Sequence, residues 1–321
     1  MYRVVRLALL PACGLWLAAC AAGDFAGPVT AFSDTTTQAA NSFKSSRESV
    51  EKFATERRFK LINAGGTLQP QTNKDCTPNG SECRLVIVEM TGSTKPVEVS
   101  LDNLQALMDD LGDYTKNLAA IVNASTSADV AKGTAAVKTS LTALAQDTDS
   151  VAKQQHLGDI GIARVSPFIG PVSDAANFVI SRALEAQKIA ALRESTAQME
   201  EMFPSLTRVF EVVSTAAIRQ QRRQLDAAFR KASDDFRHNK NDANRDAYIR
   251  AAKAYDAALK SDPKKMYESL REAHHVLAQS LNEPNPTLAE LWTLLQRASD
   301  EAVKLAEISK ALQKAAAAKQ T

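Results

Sequence analysis

Glycine, cysteine, histidine and aromatic residues are all scarce in this chain. Its 321 residues include 12 glycines, 11 prolines, 4 cysteines and 4 histidines, and aromatics make up 6%. Each shortage excludes something. No Gly-rich phosphate loop, G-x-S-x-G nucleophile turn or H-E-x-x-H zinc motif occurs, so the commonest signatures of nucleotide, acyl-transfer and metalloprotease chemistry are missing. The remaining cysteines have no further Cys or His at ligand spacing, so no zinc site is expected. Beyond the N-terminus no stretch approaches 18 consecutive apolar residues, so no simple transmembrane helix is expected. The excess of positive charge is only +2, too small for a general nucleic-acid binder.

What is abundant is alanine, together with Leu, Glu, Lys, Arg and Gln, the strong helix formers. Long helices with thin, small-residue seams follow from that composition. Phe32, Ala39, Phe43, Val50 and Phe53 form a narrow helical stripe that runs to about Phe59. Leu101, Leu104, Met108, Leu111, Leu118 and Ile121 form another. Val130, Thr134, Val137, Leu141, Leu144, Thr148 and Val151 alternate by four and three, a coiled-coil-like seam weakened by its two threonines. A helix is expected over 173–203, ended or kinked at Pro204, then helices over 206–237, 243–260 and 264–281. Asn282-Glu283-Pro284-Asn285-Pro286 reads as a turn before a last helix striped by Leu288, Leu291, Trp292, Leu295, Leu305, Ile308 and Leu312. The section 64–100 differs. Arg84 to Met90 is rich in β-branched residues, Thr91-Gly92-Ser93 reads as a turn, and Pro96 to Val99 as a second short strand. The expected fold is mainly α: an elongated antiparallel helical bundle with a small β-hairpin insertion.

The N-terminus, MYRVVRLALLPACGLWLAAC, has a basic start at Arg3 and Arg6 and an apolar stretch from Leu7 to Leu17, the layout of a secretory signal. Its last four residues, Leu17-Ala18-Ala19-Cys20, resemble the lipobox of bacterial lipoproteins. The resemblance covers only these first twenty residues. It implies cleavage before Cys20, a diacylglyceryl group on its sulfur and acylation of the new amine, so residues 1–19 would be lost. Several acyl chains anchor firmly where one does not. Residues 20–30 then read as a lipidated tether and 31–321 as the bundle domain. Ala21 stands where enteric lipoproteins retained in the inner membrane carry aspartate, so the resemblance favours the outer membrane, facing the periplasm. Loss of Arg3 and Arg6 leaves 37 basic against 37 acidic side chains.

That compartment bears on Cys76 and Cys83, which flank the turn sequence Thr77-Pro78-Asn79-Gly80-Ser81-Glu82. In an oxidising envelope two nearby thiols are most simply a disulfide, contributing about 2.5 kcal/mol for so short a loop. The spacing is not the C-x-x-C of a thioredoxin-like redox pair.

Other segments invite functional readings. The connection LGDIGIARVSPFIGPV (157–172) is apolar and rich in glycine, and its layout between long helices resembles α-helical pore-forming toxins. Ile160, Ile162, Phe168 and Ile169 would be its membrane or partner contacts, whereas a buried crossover explains the same composition. Ala251, Tyr255, Ala258 and Pro263 match only the second half of a tetratricopeptide repeat. Arg219, Arg222, Arg223, Arg230, Lys231 and Arg237 make a basic helix, but Asp226, Asp234 and Asp235 interleave, as on a solvated face. His274 and His275 diverge by about 100° on a helix, so an exposed or partly packed pair is expected rather than a metal site. No catalytic residue, metal or cofactor is assigned. The leading expectation is a non-enzymatic, lipid-anchored envelope scaffold whose partners are the membrane, through Cys20, and an envelope protein, with self-association possible through its helical seams. The alternatives are a membrane-perturbing protein using 157–172 and a periplasmic enzyme without a recognisable motif.

Overall fold

The structure, a computed structural model, describes residues 21–63, 67–70, 85–88, 94–96, 102–154, 180–260, 262–283 and 288–317. These form seven helices and one small sheet: α1 (Ala21–Asn63), β1 (Thr67–Pro70), β2 (Leu85–Val88), β3 (Thr94–Pro96), α2 (Asp102–Val122), α3 (Ser127–Gln154), α4 (Ile180–His238), α5 (Asp242–Lys260), α6 (Pro263–Ser280) and α7 (Ala289–Ala317). The chain is mainly helical and packs as a bundle.

Cross-helix contacts fix the directions. Gln105 Nε2 reaches the Ala40 carbonyl and Asn123 Nδ2 reaches Thr30, so α2 runs antiparallel to α1. Asn117 bonds Ser140, turning α3 back again. Arg193 pairs with Leu281, Glu200 with His274 and Thr207 with Tyr267, so α6 opposes α4. The expected all-antiparallel bundle needs one correction. Ser299 bonds Gln38 and Ser309 receives Ser49, so α7 lies parallel to α1. Phe43 meets Phe210, while Phe32 meets the His274 ring that Glu200 holds, so α4 runs parallel to α1 as well. Thus α1, α3, α4 and α7 point one way and α2, α5 and α6 the other. The ends joined by residues 155–179, Gln154 and Ile180, lie at opposite ends of the bundle.

Three more expectations change. Residues 21–30 are not a tether: they are the first turns of α1, and Phe25, Val29 and Phe32 are buried in the core. Pro28 lies inside that helix, at the cost of the bond a residue-28 N–H would give the Asp24 carbonyl. Pro204 does not end its helix, for α4 continues through it for 59 residues, about 88 Å at 1.5 Å per residue. Its ring sits on the exposed face, so the Glu200 carbonyl that loses its intrahelical donor lies where water reaches it. Between α1 and α2 the described residues form a three-stranded antiparallel sheet in the order β1-β2-β3, with Pro70 opposite Leu85 and Val86 opposite Pro96. The last strand comes two residues earlier than the sequence suggests and β1 was not foreseen. Gln69 and Pro70 lack the branched side chains that mark strands.

The α3 seam packs as its spacing demands: all seven residues from Val130 to Val151 are buried. Its threonines are accommodated because Thr134 Oγ1 donates to the Val130 carbonyl and Thr148 Oγ1 to the Leu144 carbonyl, one turn back. Thr36, Ser49 and Ser309 satisfy buried hydroxyls in the same way. Trp292 departs from its stripe: it is 48% exposed while Leu291 and Leu295 beside it are buried.

The scarce aromatics are concentrated. Phe43 meets Phe210 edge to face at 5.4 Å, Phe210 stacks on Tyr267 at 4.3 Å, Phe203 lies 6.5 Å from Tyr267, and Phe203 meets His274 at 4.9 Å. This column joins α1, α4 and α6 through the middle of an otherwise small-residue core. Helix ends are capped by neighbours: Arg193 Nε donates to the Leu281 carbonyl after α6, and Arg222 to the Ala258 and Leu259 carbonyls at the end of α5. Asp262 caps the start of α6 with Pro263 in its first turn.

Where α2 and α3 approach, a Cβ on Gly133 would meet Ile121 Cγ1 at 2.8 Å and the Ile121 nitrogen at 3.4 Å. Gly133→Leu should therefore lower urea-unfolding stability by about 1–3 kcal/mol despite its better helix propensity.

Candidate functional site

The densest group of polar side chains sits where α2, α4 and α6 meet. His274 is fully buried. Its Nε2 lies 2.8 Å from Tyr114 Oη, also fully buried, and its Nδ1 lies 2.6 Å from Glu200 Oε1. The other carboxylate oxygen, Oε2, lies 2.9 Å from Nδ1 of His275, whose Nε2 faces the Gln279 amide nitrogen at 2.9 Å. Phe32 and Phe203 pack against the His274 ring.

Donor and acceptor roles follow from the partners. A carboxylate only accepts, so both Nδ1 atoms donate to Glu200. The Gln279 amide nitrogen only donates, so His275 Nε2 accepts. For His274, burial holds the pKa below its ordinary 6.5, against the raising effect of Glu200. Its ring is neutral, and Nε2 accepts from the Tyr114 hydroxyl. Burial also pushes the Tyr114 phenol well above 10. Burial raises Glu200, but the two histidine N–H groups outweigh it and leave the carboxyl below its ordinary 4.5. The Ser195 carbonyl, 3.4 Å from Tyr114 Oη, is the alternative acceptor for the phenol proton.

Chemically this arrangement holds one negative charge on Glu200, whose side chain is 30% exposed, and passes its orientation inward through His274 to Tyr114. Both inner members are fully buried, so the cluster ties three helices together rather than meeting a substrate. The histidine expectation is thus corrected. His274 is core and only His275, 56% exposed, faces solvent. The 100° divergence on the helix is bridged because one carboxylate offers two oxygens. Tyr114 fills the gap between Leu111 and Leu118 in the α2 stripe, the signal that could have placed it in the core. Nothing local marked Glu200.

A second acidic group lies between α2 and α3. Asp110 is raised to about 7, first by burial and then by the charge of Asp147 and the hydrogen bond they share, with Asp113 and Asp109 adding to it. Among the described residues, no three or more His, Cys, Asp or Glu side chains are placed to hold a metal ion.

Of the residues singled out in the sequence, Cys20, Cys76, Cys83, Ile160, Ile162, Phe168 and Ile169 lie outside the described residues. No described helix is long and apolar enough to cross a membrane. The basic run on α4 is largely engaged: Arg230 pairs with Asp226 at 2.9 Å, Lys231 with Asp235 at 2.5 Å, and Arg222 caps α5. The half-repeat at 251–263 resolves into helix packing, with Tyr255 stacked on Phe229 and Pro263 opening α6. Comparison with protein-family models, curated proteins and solved structures found no match to this chain.

His274→Ala should cost about 3 kcal/mol at pH 7.5 by urea unfolding, because it opens a cavity and strands Tyr114 and Glu200. His275→Ala should cost less than about 1 kcal/mol. The sign with pH follows from the depressed His274 pKa. Below 6.5 the unfolded chain takes a proton that the folded chain refuses, so wild type loses stability on acidification and the His274→Ala deficit shrinks between pH 7 and 5. Asp110 runs oppositely: its folded pKa lies above 3.8, so its contribution is full in acid and lost as pH climbs through about 7. Asp110→Asn should raise the melting temperature at pH 8 by roughly 2–4 °C and give no such gain at pH 5.

Proposed function

We propose that this protein is a non-enzymatic, lipid-anchored scaffold of the cell envelope, fixed to the membrane through acyl chains on Cys20 and presenting its far end to a protein partner in the periplasm. The observation that carries this reading is the junction of Leu17-Ala18-Ala19-Cys20 with α1. The next residue, Ala21, belongs to α1, and Phe25 and Val29 are already in the core. Acyl chains at Cys20 would therefore be joined to the bundle through a helix rather than a slack linker. Ala21 in the following position favours the outer membrane.

At the other end of α1 lies the small sheet. Cys76 and Cys83 both belong to the connection between β1 and β2, whose ends Pro70 and Leu85 are paired. A Cys76–Cys83 disulfide would close that connection. β1 and β3 are edge strands, and a partner strand added to either is one mode of recognition available there. The α3 seam is buried within the chain, so self-association would have to use other faces.

The test is fractionation of cells expressing the wild type and Cys20→Ala. The wild type should sediment with outer membranes and incorporate an alkyne-tagged fatty acid, whereas Cys20→Ala should do neither. A Cys20→Ala protein that stays on the membrane would overturn the anchoring.

A further inference from the structure

Along the α4–α5 hairpin, next to the C-terminal third of α7, runs an open groove of about 540 Å³. Its floor is made of small side chains: Leu225, Ala228 and Ala232 of α4 face Ala247, Ala251 and Ala254 of α5, recurring every three or four residues on both helices. The deepest part of that floor is packed, with Leu225 and Ala254 buried beside Ala258 and Ile308, and the hairpin has a second set of contacts. One residue further round each helix, Phe229 stacks on Tyr248 and Tyr255, and Phe236 on Tyr248. Alanine thus stands along a face where leucine would fill the space.

Three features narrow the occupant. The volume lies within the roughly 300–1,000 Å³ that small-ligand sites occupy. Among the described residues no aromatic lines the groove, so none of them would stack a ring. Hydrogen-bonding side chains sit at its rim and not on its alanine floor, which suits a flexible methylene chain. The lip between α5 and α7 carries Arg250, Lys253 and Lys310 against one carboxylate, Glu307, and all four are exposed. Lys231, further along, is already held by Asp235. The charge complement of that lip is an anion at one end of an apolar chain.

We propose that this groove binds a long-chain fatty acid, with its methylenes on the alanine floor and its carboxylate among Arg250, Lys253 and Lys310. The occupant is not the acyl chains expected on Cys20. α7 is parallel to α1 with Ser309 beside Ser49, so the groove lies level with Ser49, about 42 Å along α1 from Ala21. The site stands whether or not Cys20 is acylated.

The test uses the full chain carrying Cys20→Ala, so that no covalent lipid is present, titrated with the fluorescent fatty acid cis-parinaric acid and competed with palmitate and with 1-hexadecanol. Saturable binding that palmitate displaces far better than hexadecanol is expected. The triple change Arg250→Gln, Lys253→Gln, Lys310→Gln should weaken binding by about tenfold or more, and Ala251→Trp, which fills the groove, should abolish it with the helical circular dichroism unchanged. Residues 1–20 are common to every variant, so binding that is equal in all of them is adsorption elsewhere and overturns the site. Equal displacement by hexadecanol overturns the carboxylate assignment. A dimer in light scattering that Ala251→Trp abolishes would make the occupant a second copy of the chain and overturn the fatty acid.

Discussion

His274, on α6, is where four helices become one body. Its ring is wedged between Phe32 of α1 and Phe203 of α4, accepts a hydrogen bond from Tyr114 of α2 and donates one to Glu200 of α4. An alanine-rich bundle has thin seams that allow neighbouring helices to slide or rotate with little penalty. Directional bonds in a dry interior remove that freedom, because a small shift would leave a phenol or an imidazole without a partner. The aromatic column of Phe43, Phe210, Tyr267 and Phe203 continues the same registration along the bundle.

From that fixed centre the two ends of the molecule differ in kind. At one end the first described turns of α1, next to the cysteine that resembles a lipidation site, already lie in the core. At the other, α4 runs on beyond Leu225 and folds back through α5, whose C-terminus Arg222 caps. There the packing changes from the mixed core to paired aromatic and alanine stripes, with a small satellite core of Leu225, Ala254, Ala258 and Ile308. The proposed anchor and the proposed ligand groove are therefore separated by most of the length of α1, so one does not obstruct the other.

Much of the helical architecture is legible in the sequence because helical periodicity is a local property. The four-three alternation from Val130 to Val151 identifies a buried face residue by residue, and even its threonines comply by bonding one turn back. The turns at Asn282 and before Pro263 are equally local. The misreadings have local causes too. Residues 20–30 read as a tether after a lipidated cysteine, yet Phe25, Val29 and Phe32 extend the buried stripe of α1 into them. Pro204 suggests an end or a kink, yet it lies on the exposed face of a helix that continues through it. The candidate site is barely legible: His274 and His275 are visible as a pair, but Glu200 lies 74 residues from His274 and Tyr114 lies 160 residues away.

By itself the sequence determined that the chain is helical, where most helices start and stop, which stripes are apolar, and that its first twenty residues resemble a lipoprotein signal. Those follow from backbone propensity and short-range spacing. Only the tertiary structure decided that α4 and α7 lie parallel to α1, that one carboxylate serves two histidines, and that alanines on two helices leave a groove with a basic lip. Each of these depends on which faces meet across long separations in the chain, and the free energy of that choice lies in the contacts themselves, not in either segment alone.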